Sequence, residues 1–139
     1  LFRKVGIFAI CAVFVLALSG CAGSSSVDGG LEPVETLVLD DEYASALNVE
    51  ENEVFALDVI RPLAKGYRIS GAFFDPSILR MERYLEYDDD GEARARYLFT
   101  GLTGGACDVL VRMVPAGGGE MVVYRQVTVS VGPPKGWFD

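Results

Sequence analysis

Histidine is missing from all 139 residues. Its absence excludes Ser-His-Asp and Cys-His nucleophile systems and the common histidine-ligated zinc sites. Cysteine is almost as scarce, with only Cys11, Cys21 and Cys107. The first two lie in or beside an N-terminal apolar run, so Cys107 lacks a partner and no internal disulfide is expected. Basic residues are few, 12 Lys plus Arg against 20 Asp plus Glu for a net charge of −8. That balance argues against nucleic acid and anionic lipid as partners. The apolar run, 5–18, is too short to span a bilayer comfortably. Carboxylates are plentiful, but none is marked as a buried or positioned pair. The chain therefore reads as a non-enzyme, with no catalytic residue, metal site or cofactor.

What is present begins with an address. Arg3-Lys4, the apolar run 5–18 and Leu18-Ser19-Gly20-Cys21 resemble the charged region, hydrophobic region and lipobox of a bacterial lipoprotein signal. The resemblance implies that 1–20 is a signal peptide cleaved before Cys21, and that the Cys21 thiol is the lipidation site. An ordinary signal peptide cut near Ala22, or a single hydrophobic anchor, are the alternatives. Acyl chains contribute ~0.8 kcal/mol per buried methylene, enough for two or three to hold a domain at a membrane without a spanning helix. The expected location is the bacterial cell envelope, lipid-anchored and extracytoplasmic. If the cell has two membranes, it is the outer one, facing the periplasm, because Ala22 is not the aspartate of an inner-membrane retention signal. Without Arg3 and Lys4 the mature part has 10 basic and 20 acidic side chains, a net charge near −10. Residues 21–30 comprise the lipidated cysteine and a Gly/Ser-rich tether with a reach of roughly 15–18 Å. Residues 31–139 suffice for one domain.

Within that domain the apolar period is two. Phe55, Leu57 and Val59 share a face, and after a turn at 62–66 Tyr67, Ile69, Gly71 and Phe73 alternate. These two segments read as a hairpin. Leu79, Met81, Leu85 and Tyr87 share the next face with Arg83, followed by Ala95, Tyr97 and Phe99, by Cys107, Val109, Val111 and Met113, and by Val127, Val129 and Val131. An earlier strand is expected at 36–39 and a short helical turn at 41–48. About seven short strands with turn signals every 8–15 residues predict an all-β fold, an immunoglobulin-like antiparallel β-sandwich. Its expected core contains Phe55, Leu57, Ile69, Phe99, Val109, Val111, Val127 and Val129.

From Glu53 to Val131 the order of features resembles the chagasin-like inhibitors of papain-like cysteine peptidases. In that family a strand of alternating Phe and Leu leads into an Asn-Pro-Thr-Thr-Gly-Tyr loop. Here Phe55-Ala56-Leu57-Asp58-Val59-Ile60 leads into Arg61-Pro62-Leu63-Ala64-Lys65-Gly66-Tyr67. Tyr97-Leu98-Phe99-Thr100-Gly101-Leu102-Thr103-Gly104-Gly105 and Val127-Thr128-Val129-Ser130-Val131 resemble the family's later strands. This chain departs from the pattern. The first loop is one residue longer, Arg61 replaces the asparagine, Leu63-Ala64-Lys65 replaces the threonines, and Val114-Pro115-Ala116 lacks the tryptophan of the family's Arg-Pro-Trp loop. The resemblance implies steric inhibition of a cysteine peptidase, the protein partner, by loops that supply no reacting group. The candidate contact residues are Pro62, Leu63, Ala64, Lys65, Gly66, Tyr67, Asp90, Gly91, Pro115, Ala116 and Gly117. The alternative is a structural or assembly module of the cell envelope with no inhibitory activity.

Loops at one end of a sandwich are natural binding surfaces, although Pro, Gly and Asp also serve turns for their backbone angles alone. Asp88-Asp89-Asp90-Gly91-Glu92 lacks the ligand spacing of an EF-hand and reads as a hairpin turn. Cys107 reads as a buried, inert thiol, with a redox-active or dimer-forming one as the alternative. Trp137-Phe138 on a Pro/Gly-rich tail is expected to fold back over the sandwich, or else to be exposed for a partner.

Overall fold

The computed structural model describes residues 30–133. The expectations for the signal, for Cys21 and for Trp137-Phe138 lie outside these residues. Eight strands run in the order β1 (Glu35–Val38), β2 (Ala44–Glu50), β3 (Val54–Ile60), β4 (Tyr67–Phe73), β5 (Leu79–Asp89), β6 (Glu92–Gly101), β7 (Gly105–Pro115) and β8 (Val122–Gly132). A single 3-10 turn, Pro62–Lys65, separates β3 from β4. The strands form two four-stranded sheets, β1-β3-β6-β5 and β2-β8-β7-β4. Pairing is antiparallel except where β1 joins β3 and β2 joins β8 in parallel. Among the described residues, no helix is long and apolar enough to cross a membrane.

The sandwich core is built from the alternating positions. Phe55 faces Phe99 across the β3–β6 ladder, their rings stacked at 5.5 Å, and Phe74 meets Phe99 edge-on at 5.1 Å. Val109, Val111, Val127 and Val129 close the core from the other sheet, all fully buried. Ile69 is only partly buried, because β4 is an edge strand.

Three local expectations are corrected. Residues 41–48 do not turn helically: Leu47 and Val49 alternate inward on β2, which pairs in parallel with β8. The pair 54–60 and 67–73 is not a hairpin, since β3 and β4 belong to different sheets. β3 lies between β1 and β6 in the first sheet, and the 3-10 turn carries the chain across to the second. On β5 a bulge between Met81 and Arg83 shifts the alternation. Tyr84, rather than Leu85, therefore packs on the core. Tyr87 points to the outer face, where its hydroxyl donates to Asp58.

Cys107 is partly buried on β7 and packs against the core. Burial pushes its thiol pKa up.

Candidate functional site

Strand register brings all three candidate loops to one end of the sandwich. The 62–66 segment leaves the C-terminal end of β3 and enters β4, crossing between sheets. On one side of it lies the β5–β6 hairpin, fixed by the pairing of Ile60 with Arg94 and by the Arg61 N–H, which donates to Ala93 O at 2.9 Å. On the other side lies the β7–β8 connection, where Tyr67 pairs with Pro115 and the Ala116 N–H donates to Gly66 O at 2.9 Å. The result is a row, with 62–66 in the middle.

The central loop is held by its own backbone. The Leu63 N–H donates to Arg61 O at 2.8 Å and the Gly66 N–H to Leu63 O at 3.0 Å. Gly66 closes the turn at φ 79, a left-handed conformation that glycine adopts without strain. Pro62 is buried and anchors the turn, so it is not available for contact, whereas Leu63, Ala64, Lys65 and Gly66 are exposed and Tyr67 is half-buried. Leu63, 47% exposed, is the apolar tip. The Lys65 ammonium lies 5.9 Å from the centre of the Tyr124 ring.

The flanking loops differ in character. Asp90 (φ 52) and Gly91 (φ 87) form a two-residue hairpin turn between the paired Asp89 and Glu92, the backbone that a tight β-hairpin requires. Both are exposed and belong to an acidic rim. Pro115 is half-buried, while Ala116 and Gly117 are exposed. Met121, 51% exposed, and Val122, 38% exposed, add apolar surface at the start of β8. They are absent from the candidates above; two adjacent apolar residues closing a Gly-rich loop were the available signal.

Behind the row lies a polar cluster that fixes where β3 ends. Asp40 accepts from the Ile60 N–H at 2.8 Å and pairs with Arg94 at 2.9 Å. The Tyr124 hydroxyl donates to Ile60 O at 2.7 Å, and Arg125 donates to Leu39 O and Asp40 O at 2.6 and 3.1 Å. Arg94 also pairs with Asp58 at 2.7 Å and with Glu92. Burial works against the Arg94 charge, yet its bonds to Asp58, Asp40 and Glu92 prevail and raise its pKa. These residues hold the loop base and are themselves mostly withdrawn from the surface.

The loop end thus offers alkyl, methyl and ammonium groups with exposed backbone, a surface suited to contact. Among the described residues, no group of three or more His, Cys, Asp or Glu is disposed to hold a metal ion. The chain arrives from the other end. Val34 N–H donates to Val54 O, and β1 starts beside Phe55. The seven residues of β3 put roughly 20 Å between that point and the loops.

No protein-family model matches the chain, and no curated protein matches it in sequence. Among solved structures it is similar to the cysteine protease inhibitor EhICP2 of Entamoeba histolytica. The identity is 12% and the TM-score 0.55, over 74% of this chain and 100% of that one. PbICP-C, solved in complex with falcipain-2, matches at 12% identity and TM-score 0.46, over 72% of this chain and 99% of that one. The solution structure of amebosin matches at 8% identity and TM-score 0.43, over 72% and 99%. What the first likeness establishes is the fold, a chagasin-like β-sandwich.

Proposed function

We propose that this protein is a non-enzymatic binding module that blocks a papain-like cysteine peptidase sterically, from a lipid anchor on the extracytoplasmic side of a bacterial membrane. The observation that carries the reading is the row of three loops, with Leu63 exposed in the middle and the Ala116–Gly66 hydrogen bond locking two of them together. A preorganised row of this kind enters a cleft with little ordering cost. The shared fold with a cysteine protease inhibitor supports the partner class. The lipobox-like Leu18-Ser19-Gly20-Cys21 supports the anchor, and approach of the chain from the far end would turn the loops away from the membrane. If there are two membranes, the outer one is the proposed site.

The test is a titration of the detergent-solubilised protein against papain and related peptidases. Saturable inhibition with no cleavage of the 62–66 loop is the expected result. No inhibition of any peptidase tested would favour the envelope-module alternative.

A further inference from the structure

The outer faces of the two sheets differ in their access to water. On the β2-β8-β7-β4 sheet the outward positions Asn48, Thr128 and Asp108 are exposed. On the β1-β3-β6-β5 sheet Ala56 and Leu98 face each other across the β3–β6 ladder, and alternation turns them away from the core that Phe55, Leu57, Tyr97 and Phe99 share. Both are nevertheless 0% exposed, and Asp58 and Thr100 beside them are buried too. The residues paired with them on the flanking strands, Thr36 of β1 and Arg83 of β5, are themselves exposed. Arg96, next outward on β6, donates to Asp58. An alanine and a leucine sealed in mid-sheet in this way call for a cover with apolar surface of its own.

We propose that the cover is a segment of this chain, 134–139, which lays Trp137 and Phe138 over Ala56 and Leu98. β8 ends at Gly132, whose carbonyl accepts from the Glu51 N–H at 3.0 Å, and next to it the Asn52 N–H donates to Gly101 O at 2.8 Å. The segment therefore departs from the foot of β3 and β6. Leu98 stands three residues up β6 from Gly101, roughly 10 Å away, and Trp137 follows Gly132 by five residues, a reach of up to about 17 Å. Pro133-Pro134 stiffens the exit and Gly136 lets the chain bend back. Charge suits the same seat. Arg83 and Arg96 flank Leu98 and present cations to an indole face and to Asp139. The N-terminal residues are poorer occupants, because 22–29 carry one large apolar side chain, Val27. Residues 1–20 are removed on cleavage before Cys21, the single point at which the inference rests on the lipoprotein reading. The loop end stays clear of this face.

Trp137 is the only tryptophan of the chain, so its fluorescence reports on this segment alone. In the detergent-solubilised full chain, acrylamide is expected to quench it several-fold less than in the urea-unfolded chain. Leu98→Glu removes the apolar seat from the outer face and should return quenching to the unfolded level while the sandwich still melts cooperatively. If that variant does not fold, the wild type decides: with ¹³C-labelled leucine methyls, the Leu98 methyls are expected to show nuclear Overhauser contacts to the Trp137 indole. Neither readout depends on whether Cys21 carries lipid. Wild-type quenching at the unfolded level, protection that persists in a folded Leu98→Glu variant as it would for an indole held in the micelle, or Leu98 contacts to residues of 1–29 in place of Trp137, would each overturn the proposal.

Discussion

Asp58 and Arg94 form a 2.7 Å ion pair on the outer face of the β1-β3-β6-β5 sheet, with side chains only 2% and 8% exposed. Asp58 also accepts from Arg96 at 2.8 Å and from the Tyr87 hydroxyl. A single buried carboxylate thus bridges two guanidinium groups, and removing it takes that bond from both while Arg94 keeps Asp40 and Glu92. Asp58→Ala is expected to destabilise the fold by about 3–5 kcal/mol, the range for breaking a buried pair, as read in a urea melt. A loss below about 1 kcal/mol would mean that water screens the cluster.

Phe99 touches Phe55, Phe74 and Tyr97 and is fully buried. Phe99→Ala is expected to cost about 3–5 kcal/mol through lost transfer energy and the cavity left behind. Chemical denaturation measures this directly. The same loss with an unchanged m-value would show that the denatured state is unaffected.

The loop reading makes a different kind of prediction. Leu63→Asp together with Ala64→Glu should abolish peptidase binding and leave the melting temperature unchanged, because both residues are exposed at a loop tip. Pro62→Ala should lower the melting temperature instead, since Pro62 is buried and fixes the start of the 3-10 turn. Inhibition that survives the double substitution would place the contact surface elsewhere.

Alkaline pH tests the buried tyrosines. In the unfolded chain they titrate near ~10, whereas burial raises both in the fold, Tyr84 to about 12. The native state therefore holds these protons more tightly. The associated stability is whole below about pH 10 and is lost as pH rises through the folded values. Urea midpoints should fall between about pH 10 and 12, and fall less in Tyr84→Phe/Tyr97→Phe. Equal slopes in the two proteins would contradict the assignment.

Cys21→Ala should abolish acylation and leave the protein unprocessed or released, because Cys21 is the only proposed lipid site. Metabolic labelling with a radioactive fatty acid and a carbonate wash of membranes report the two effects. A variant that is processed normally and stays membrane-bound would remove the lipoprotein reading.

Alternation made most of the sandwich legible. β3, β6, β7 and β8 carry long runs in which every second residue is apolar, and those residues are the core. β2 escaped because only Leu47 and Val49 mark its buried face, and its partner lies far along the chain. The face of β5 was misread because a bulge changes the phase without leaving a trace in composition. Residues of the three loops could be named from turn chemistry and the family resemblance, but their side-by-side order depends on which strands pair. Pro62 shows the limit of motif transfer, since it matches the family pattern yet is buried. The Asp58 cluster had a readable signal: an aspartate in the middle of the apolar run of β3, which a buried strand tolerates only with a cation beside it.

The parallel pairing of β2 with β8 has a consequence for how the chain acquires its shape. Leu47 meets Val129, a contact between residues about 80 apart, and pairings this remote in sequence make folding slow relative to that of locally connected folds. Among the described residues β2 pairs only with β8, the last described strand, and β2 is made well before it. Whether the chain emerges from a ribosome or threads a translocation pore, β2 waits unpaired until residue 132 has arrived. The first sheet can close by residue 101, but the second stays open at β2 until β8 has been made.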